Sequence, residues 1–553
     1  MNKKLLSLTV TTLMASSIII SAASCGDLVR PDDPLPPTTN PVALSFWHGF
    51  GVEVNGTLGP ILSNWRGQNN DTISYETIGG YDNLYDKIMM SVTTRTYPNI
   101  AVAYPDHMAN YITSYILQPL DAMMNDSQRT YNNLDSSIFI DDYMVENTSL
   151  GVYGPGIPEL AGQPITYGLP FNKSTEVFTF NKTFFTYASS IDPTIKLPET
   201  WDEVLEQGNK INNFMATTEG GLFGKAVYRT LADDSFVVFA YDGSGNLPAG
   251  VTPDKYARVF DFKTVTPTNF RPFGWDSTAN LFITLLRQYG STYTAPAKRG
   301  ESVDISTGTY EFARPNNWDA TLSALKMIAK LFQQRVMGLP GPTWTSSYCS
   351  DPFKAFQVVA SVGSSGGVVN NVFPTSENVI GFGAIPHNNH AVAGLNGKQV
   401  ISQGTNLVAF RKTADENAAA MDAIKYLTGE GNLEFAMGTG YFPVRKADRL
   451  SETYLNFLNT PSADAKANAK REAAKANNEI YLNDALGWTN FVDPGFAGSA
   501  LIRRNVGFIL EGIYKSTDLP AATTDAQYEA IIVKAISATT DSFKQHRPSD
   551  SKY

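Results

Sequence analysis

Residues 363–367 read Gly-Ser-Ser-Gly-Gly and directly follow the apolar run Phe356–Val362. This is the G-x-S-x-G pattern of a nucleophile elbow, which would present Ser365 for acyl transfer at the end of a strand. Residues 48–51, His-Gly-Phe-Gly, also resemble the loop that binds the oxyanion in such hydrolases. These residue types and their spacing are those of an esterase.

The order of the histidines opposes an esterase. A hydrolase of this kind places an acid and then a histidine after the nucleophile. His387 and His390 follow Ser365 so closely that little room remains for an acid-bearing strand. The alternative is a Gly/Ser loop whose amides and hydroxyls, including those of Ser364 and Ser365, bind a polar ligand. We expect this binding loop and keep the esterase as the second hypothesis.

No other motif supports a cofactor. The chain contains no G-x-x-x-x-G-K-[ST], no H-E-x-x-H and no G-x-G-x-x-G that opens a helix. His387 and His390 have metal-compatible spacing, but no carboxylate or cysteine lies nearby to complete a zinc site. We therefore expect neither a nucleotide, a metal nor any other cofactor.

Aromatic and neutral polar residues are abundant instead. Aromatic residues make up 12% of the chain and include 26 Tyr and 7 Trp. Such rings stack on sugar faces while a polar edge forms hydrogen bonds, although most of them are expected in the core. Trp47 ends a predicted strand and precedes His48, so it is a candidate for ligand contact, with ordinary packing as the alternative.

Composition narrows the function classes. The chain has 553 residues and a formal net charge of −10, and only 17% of its residues are charged. Without a long Lys/Arg block, this balance argues against nucleic-acid binding. The length suggests about three or four domain-sized units, or two large lobes. Cys25 and Cys349 are the only cysteines, which excludes a disulfide-stapled scaffold.

The N-terminal region predicts export and membrane anchoring. Residues 1–24 combine a basic start with a short, diluted apolar stretch, which is typical of a signal peptide. They end in Ala-Ala-Ser before Cys25, which resembles the lipobox of bacterial lipoproteins, so we expect Cys25 to carry lipid. Residues 25–41 are rich in proline and predict an extended tether. The body is then expected outside the cell, on the outer face of the cytoplasmic membrane.

Strand-like and helix-like segments alternate after the tether. This alternation predicts an α/β fold with a largely parallel sheet, whose ligands bind at the carboxyl ends of strands. The predicted strands are Val42–Trp47, Thr72–Ile78, Asn99–Tyr104, Glu176–Phe180, Phe356–Val362, Val379–Ile385 and Thr405–Phe410. The predicted helices are Gly56–Arg66, Tyr81–Val92, Trp201–Phe214, Asn280–Tyr289, Ala320–Phe332, Glu416–Thr428, Asn432–Met437 and Gln527–Phe543.

Two stretches have the composition of insertions. Residues 241–306 are rich in Gly, Pro and Thr, and residues 460–478 form the second stretch. The segment 465–475 has high helix propensity but lacks an apolar face, so we expect a solvated helix.

Short motifs along the body occur in a recognisable order. In this order the chain resembles the family 1 extracellular solute-binding proteins of ABC importers, and within them the glycerol-3-phosphate-binding and related sugar-binding members. The motifs are Phe46-Trp47-His48, Gly80-Tyr81-Asp82, Tyr97-Pro98-Asn99-Ile100, residues 168–175, Phe180-Asn181-Lys182, residues 197–201, residues 381–386, Gly404-Thr405 and residues 439–444.

The resemblance implies a two-lobed, type II periplasmic-binding-protein-like flytrap with hinge crossovers and insertions. Lobe one would comprise residues 42–172 and 398–446, lobe two residues 173–397 and 447–545, and residues 546–553 would form a polar tail. A ligand held between lobes stabilises the closed state, because only there do both walls contact it. The closed form would dock on permease subunits, and we expect a monomer that is not an enzyme.

The resemblance also implies a set of ligand contacts. Hydroxyls and amides suit a polyol, and an arginine suits a phosphate, so we expect a carbohydrate or a polyol phosphate. A core or capping role is the alternative for each residue. With the residues at the end of the first strand, the set is Trp47, His48, Tyr81, Asp106, Ser174, Ser364, Ser365, Gly404, Tyr441 and either Arg503 or Arg504.

The chain departs from the glycerophosphate members at three places, one of which is the insertion at residues 241–306 that would enlarge lobe two. Asp106 is offset by one position from the acid expected after the third strand, and the paired tryptophans of those members have no match around residues 228–239. These departures weaken glycerol 3-phosphate itself and leave an oligosaccharide or another polyol open. Adhesion by a surface lipoprotein on the same fold is a third hypothesis, which the two insertions motivate.

Overall fold

The computed structural model describes residues 41–553 except 68, 125–133, 135, 141–164, 300, 301, 376, 391 and 393. The predicted signal peptide, Cys25 and the tether as far as residue 40 lie outside the described residues. Within the part that is described, no helix has the length and hydropathy needed to cross a bilayer.

Most strands are short and lie in two main sheets. The strands, in chain order, are β1 Ala43–His48, β2 Thr72–Thr77, β3 Ile100–Ala103, β4 Gly168–Pro170, β5 Ser174–Asn181, β6 Lys225–Thr230, β7 Phe236–Ala240, β8 Tyr256–Asp261, β9 Phe273–Trp275, β10 Thr294–Arg299, β11 Ser302–Tyr310, β12 Met337–Gly338, β13 Ala360–Ser364, β14 Ile380–Gly383, β15 Gln399–Gln403, β16 Asn406–Ala409 and β17 Thr489–Phe491.

Helices connect and cover these strands. They are α1 Val52–Asn64, α2 Tyr81–Ser91, α3 Pro105–Thr113, α4 Asp121–Met124, α5 Lys182–Ile191, α6 Trp201–Thr217, α7 Thr278–Gln288, α8 Pro315–Gln333, α9 Ser350–Lys354, α10 Ala414–Leu427, α11 Glu430–Thr439, α12 Lys446–Arg449, α13 Glu452–Asn459, α14 Ala465–Ala476, α15 Ser499–Tyr514 and α16 Asp525–Thr540. The predicted α/β class is therefore confirmed, with element ends that differ by a few residues. The expectation of a largely parallel sheet was wrong, because β5 and β16 each run antiparallel to all of their neighbours.

The smaller sheet has five strands in the order β2-β1-β3-β16-β4. β1 pairs in parallel with β2 and β3, whereas β16 runs antiparallel between β3 and β4. Parallel neighbours require crossover helices, and α1 and α2 provide them. Phe46, Ile100 and Leu407 lie in the hydrophobic core of this sheet.

The larger sheet has seven strands, with the path β12-β9-β13-β5-β15-β17 and with β14 also paired to β5. β5 is central, because β13 lies along one edge while β14 and β15 share the other, all antiparallel to it. Its separate core contains Phe178, Trp201 and Trp275, and the two indoles stack at 5.7 Å.

The chain passes between the two sheets three times, and two of these crossovers are adjacent. One leads from β4 to β5 through residues 171–173, and the other leads from β15 to β16 through Gly404 and Thr405. Since β15 belongs to the larger sheet, the return to the smaller sheet lies at Gly404. The predicted boundary at residue 398 would separate β15 from its sheet partners, and we place it after Gln403 instead.

The two predicted insertions are built into the fold. Residues 241–306 include β9, an inner strand of the larger sheet, and α7, which is almost wholly buried. The expected solvated helix, α14, buries Ala469, Ala473 and Ala474. That expectation was wrong because alanine, which is too small to mark an apolar face in a sequence, still packs closely against neighbouring helices.

The predicted polar tail is also fastened to the body. His546 is buried, and its Nδ1 lies 2.9 Å from the carbonyl oxygen of Gly308. The Tyr553 hydroxyl lies within hydrogen-bond distance of two other hydroxyls, that of Tyr310 at 3.0 Å and that of Thr540 at 2.9 Å. These contacts make residues 546–553 part of the larger lobe's surface.

Gly404→Ala is expected to destabilise the protein at the crossover. Gly404 has a φ of +92°, and an added Cβ would lie 1.9 Å from the carbonyl oxygen of Asn172. We expect the free energy of unfolding, measured by urea denaturation, to fall by at least about 2 kcal/mol. Gly367→Ala is the matched control, since no atom lies within 4 Å of its added Cβ. An equal loss in both variants would contradict this role of Gly404.

Candidate ligand-binding cleft

A cleft of about 560 Å³ lies where the two sheets face each other. The smaller sheet contributes the loop after β1, the start of α2, Tyr104 after β3, and Tyr441. The larger sheet contributes Ser174, Ser364 and Asp276, and the crossover contributes Gln403 and Gly404. The volume lies in the range that accommodates small organic ligands.

The wall formed by the smaller sheet is aromatic. Phe50, Tyr81, Tyr104 and Tyr441 line it, and the rings of Tyr81 and Tyr104 pack edge-on at 5.0 Å. The hydroxyls of Tyr81 and Tyr441 are 3.4 Å apart. Burial raises the pKa of both phenols, so they stay neutral and can donate hydrogen bonds.

The opposite wall is polar. The Ser364 hydroxyl donates to the Ser174 hydroxyl at 3.4 Å and accepts from the Gly366 amide at 3.2 Å. Asp276 follows β9 and accepts a hydrogen bond from the Cys349 amide at 2.6 Å. Burial raises the pKa of the Asp276 carboxyl. An aromatic wall facing hydroxyl and carboxyl groups suits a ligand with apolar faces and polar edges.

Two helices begin at the cleft without a side-chain cap. Gly51 precedes α1 and Gly80 precedes α2, and neither N-terminus is capped by a side chain. The loop after β1 packs so tightly on the start of α2 that a Cβ on Gly49 would lie 2.7 Å from the carbonyl carbon of Gly80. The first amides of each helix are thus available to a polar ligand.

Comparison with known families identifies this arrangement. The family model for bacterial extracellular solute-binding proteins matches residues 66–456. The chain belongs to the bacterial extracellular solute-binding protein family. A search of curated proteins returns no match.

Solved structures share the two-domain fold of this solute-binding protein. Mycobacterium tuberculosis UgpB bound to glycerophosphocholine is 13% identical, with a TM-score of 0.60 over 91% of this chain and 98% of that chain. Listeria monocytogenes Lmo0181 bound to cycloalternan is 13% identical, with a TM-score of 0.57 over 91% and 100%. The Streptomyces glaucescens GacH receptor, solved unliganded and with acarbose, is 13% identical, with a TM-score of 0.56 over 92% and 100%. The expected flytrap architecture is confirmed.

Five of the expected contacts line the cleft of the solute-binding protein. These are Tyr81, Ser174, Ser364, Gly404 and Tyr441. They come from distant parts of the sequence, and the two crossovers bring them together. Their contact with a ligand stays a prediction.

Trp47 and His48 lie outside the cleft lining. Trp47 is partly buried against the core of the smaller sheet, and Lys87 places its Nζ 4.1 Å from the centre of the Trp47 ring. His48 is fully buried and stacks on Phe50 at 5.0 Å and on Tyr75 at 5.8 Å. Burial lowers the pKa of His48 to about 4, so it is a neutral core residue. The packing alternative therefore describes both residues.

Asp106 and Arg503 lie behind the cleft wall. Arg503 forms an ion pair with Asp493 and donates to the Asn280 side chain at 2.6 Å. Asp106 is buried at the start of α3 and accepts a hydrogen bond from the His107 amide at 2.9 Å. Arg504, the other arginine considered, pairs with Asp82 and Asp86 on α2. These partners give the two arginines structural roles.

Ser365 is buried directly behind the loop. The residue has no exposed surface, and its hydroxyl has no hydrogen-bond partner. An esterase nucleophile must reach its substrate, so the nucleophile-elbow interpretation of Ser365 is wrong. Among the described residues, no group of three or more His, Cys, Asp and Glu side chains could hold a metal ion.

Sequence reasoning missed several cleft residues. Phe50, Tyr104, Asp276, Tyr348 and Gln403 line the cleft without having been expected there. Tyr104 could have been found, because it is the last residue of the predicted strand Asn99–Tyr104 and so lies at its carboxyl end. Asp276 could not, because the stretch that contains it was taken for an insertion rather than for a core strand.

Glu176 follows Ser174 by two residues on β5, so the two side chains lie on the same face of the strand. Its Oε1 accepts hydrogen bonds from Trp275 Nε1 at 2.9 Å and from Asn280 Nδ2 at 3.1 Å, whereas Oε2 has no partner. Burial raises the pKa of this carboxyl from 4.5 to about 7. The folded protein therefore favours the protonated form.

Glu176→Gln is expected to remove a pH-dependent loss of stability. Between pH 4.5 and about 7 the folded state holds this proton more tightly than the unfolded chain, so the free energy of unfolding falls as pH rises. The free energy of unfolding of the variant should therefore rise relative to that of the wild type across this window, by about 3 kcal/mol at its upper end. Urea denaturation at several pH values measures the difference in the free energy of unfolding between variant and wild type. His48 has the opposite pH dependence, but it is present in both proteins, so its contribution cancels in the difference.

Glu53→Gln is the matched control for this measurement. Lys466 forms an ion pair with Glu53 at 2.6 Å and lowers the pKa of this exposed carboxyl. Its titration therefore affects stability only at lower pH, where the carboxylate becomes protonated. A difference between Glu176→Gln and wild type that does not change with pH would contradict the raised pKa.

Proposed function

We propose that this chain is the lipid-anchored solute-binding component of an ABC importer. It captures a carbohydrate or polyol phosphate between two lobes and delivers it to permease subunits. The lobes are residues 42–172 with 404–446 and residues 173–403 with 447–553. The observation that carries this proposal is the cleft at the two crossovers, with an aromatic wall on one lobe and a hydroxyl-lined wall on the other.

Closure of the lobes provides the mechanism. In the open form a ligand contacts one wall, whereas in the closed form it contacts both, so its binding energy favours closure. The proposed contacts are Tyr81 and Tyr441 on the smaller lobe, Ser174 and Ser364 on the larger lobe, and the backbone at Gly404. Release of an unchanged ligand to the permease requires no catalytic group.

Charge favours a carbohydrate over a phosphate ester. Among the described residues that line the cleft, none is Lys, Arg or His, whereas Glu53 and Asp276 bring carboxylates. Phosphate sites in proteins commonly combine backbone amides with Arg or Lys, and this cleft offers the first amides of α1 and α2 without a cationic side chain. Carboxylates instead accept hydrogen bonds from sugar hydroxyls. The esterase is not proposed, because Ser365 is buried, and no feature of the cleft favours adhesion.

Ligand screening is expected to give binding to an uncharged oligosaccharide. The purified chain is tested by thermal shift and then by calorimetry against maltotriose, cycloalternan, acarbose, glycerophosphocholine and glycerol 3-phosphate. Tyr441→Phe and Ser174→Ala should each weaken the binding by about fivefold or more, since each removes a hydrogen bond. Ser189→Ala, at a partly exposed serine on α5 that does not line the cleft, is the control and should leave the affinity unchanged.

Two results would contradict this proposal. Tighter binding of a phosphate ester than of every sugar would overturn the preference for carbohydrates. Hydrolysis of a bound ligand by the purified chain would overturn the role as a transport receptor.

Cys25→Ser is expected to release the protein from the membrane. Two acyl chains anchor a protein durably, whereas a tether without lipid has no comparable affinity. Fractionation of cells, with metabolic labelling by an alkyne fatty acid, compares the variant with wild type. Ser24→Ala, which keeps the cysteine, is the control and should stay labelled and membrane-bound. Unchanged membrane association of the unlabelled Cys25→Ser variant would contradict the lipid anchor.

A further inference from the structure

Asn172 occupies the first crossover and is completely buried. Its side-chain oxygen accepts hydrogen bonds from the Thr405 hydroxyl and from the Thr405 amide, the latter at 3.2 Å. Thr405 belongs to the second crossover. The Asn172 side chain therefore links the two crossovers about which the lobes hinge.

The other end of the same side chain reaches the cleft. Asn172 Nδ2 donates a hydrogen bond to the Tyr81 hydroxyl at 3.1 Å. The Tyr81 hydroxyl in turn lies 3.4 Å from the Tyr441 hydroxyl. Both tyrosines line the cleft, so one buried amide bonds the hinge with its oxygen and the cleft wall with its nitrogen.

The second crossover allows little adjustment around this amide. Gly404 leaves no space for a side chain against Asn172, and Lys173 Nζ donates to the Gly404 carbonyl oxygen at 3.3 Å. Close packing of this kind favours discrete arrangements over continuous deformation. A change in the hydrogen bonding of Tyr81 must therefore change the geometry of the second crossover at Thr405.

We propose that Asn172 is a positioning residue that couples the cleft tyrosines to the hinge. This inference rests on the proposed function, since it explains how an occupied cleft alters the balance of open and closed forms. A ligand hydroxyl that competes for the Tyr81 hydroxyl redirects the amide of Asn172. The amide then alters its bonds to Thr405, and the preferred angle between the lobes changes.

A double-mutant cycle tests the coupling without any added ligand. Tyr81→Phe removes the cleft bond, and Thr405→Val removes one hinge bond while keeping the size of the side chain. Spin labels are placed at Met90→Cys in the smaller lobe and Leu231→Cys in the larger lobe, both exposed positions. The full chain carries Cys25→Ser, and Cys349 is fully buried and takes no label. Pulsed electron paramagnetic resonance then measures the distance distribution between the lobes.

We expect each single variant to change the ratio of the populations by up to about fivefold, the effect of one hydrogen bond. The combined variant should differ from the product of the single effects by at least about twofold, because both bonds use one amide. Tyr75→Phe, in the same lobe but stacked on His48, is the control. Combined with Thr405→Val, it should give only the product of the single effects.

The result distinguishes coupling from a simply structural role. Independent effects of Tyr81→Phe and Thr405→Val, or distributions identical to wild type in both, would overturn the proposal. A thermal-shift screen without any binding would instead refute the proposed function and leave this ligand-free measurement interpretable.

Discussion

The pairing of β5 with β15 is the constraint on which the rest of the structure depends. β5 begins directly after the first crossover, and β15 ends directly before the second. Because the two strands pair antiparallel, the two crossovers lie side by side. Thr175 Oγ1 donates to the Ile401 carbonyl oxygen at 2.9 Å and reinforces the pair. Two separate hydrophobic cores are thereby joined at these adjacent crossovers, and the ligand-sized space lies beside them. The chain returns to the larger sheet once more, between β16 and β17.

The chemistry of the cleft follows from burial rather than from charge. Tyr81 and Tyr441 are neutral donors because burial raises the pKa of their hydroxyls. Arg503 and Asp493 form an ion pair and do not line the cleft. The lining holds the carboxyl groups of Glu53 and Asp276 and no cationic side chain, and its phenol and serine hydroxyls can replace the hydrogen bonds that a ligand's hydroxyls make with water. This arrangement is consistent with capture and release of an unchanged ligand.

Each strand and helix predicted from the sequence has a counterpart in the structure, since apolar periodicity reflects which face is buried, but β6 to β12, α3, α5 and α15 were not predicted. Trp201 starts its helix where expected, because Thr200 and Glu203 form a capping box. The prediction failed where burial has no apolar signature. Ala469 and Ala473 are buried although their helix has no apolar face, and Asp276 follows a short core strand within a Gly- and Thr-rich stretch.

The amino-acid sequence by itself determined the fold family, because the order of its short motifs resembles that of the solute-binding proteins whose family model matches the chain. It also placed Tyr81, Ser174, Ser364, Gly404 and Tyr441 among the candidates that line the cleft. Only the tertiary structure decided which of the other candidates do not line the cleft. Arg503 and Ser365 are polar residues that a sequence pattern assigns to a site, yet an ion pair and complete burial remove them. Side-chain environment depends on neighbours distant in sequence, and no local pattern contains those neighbours.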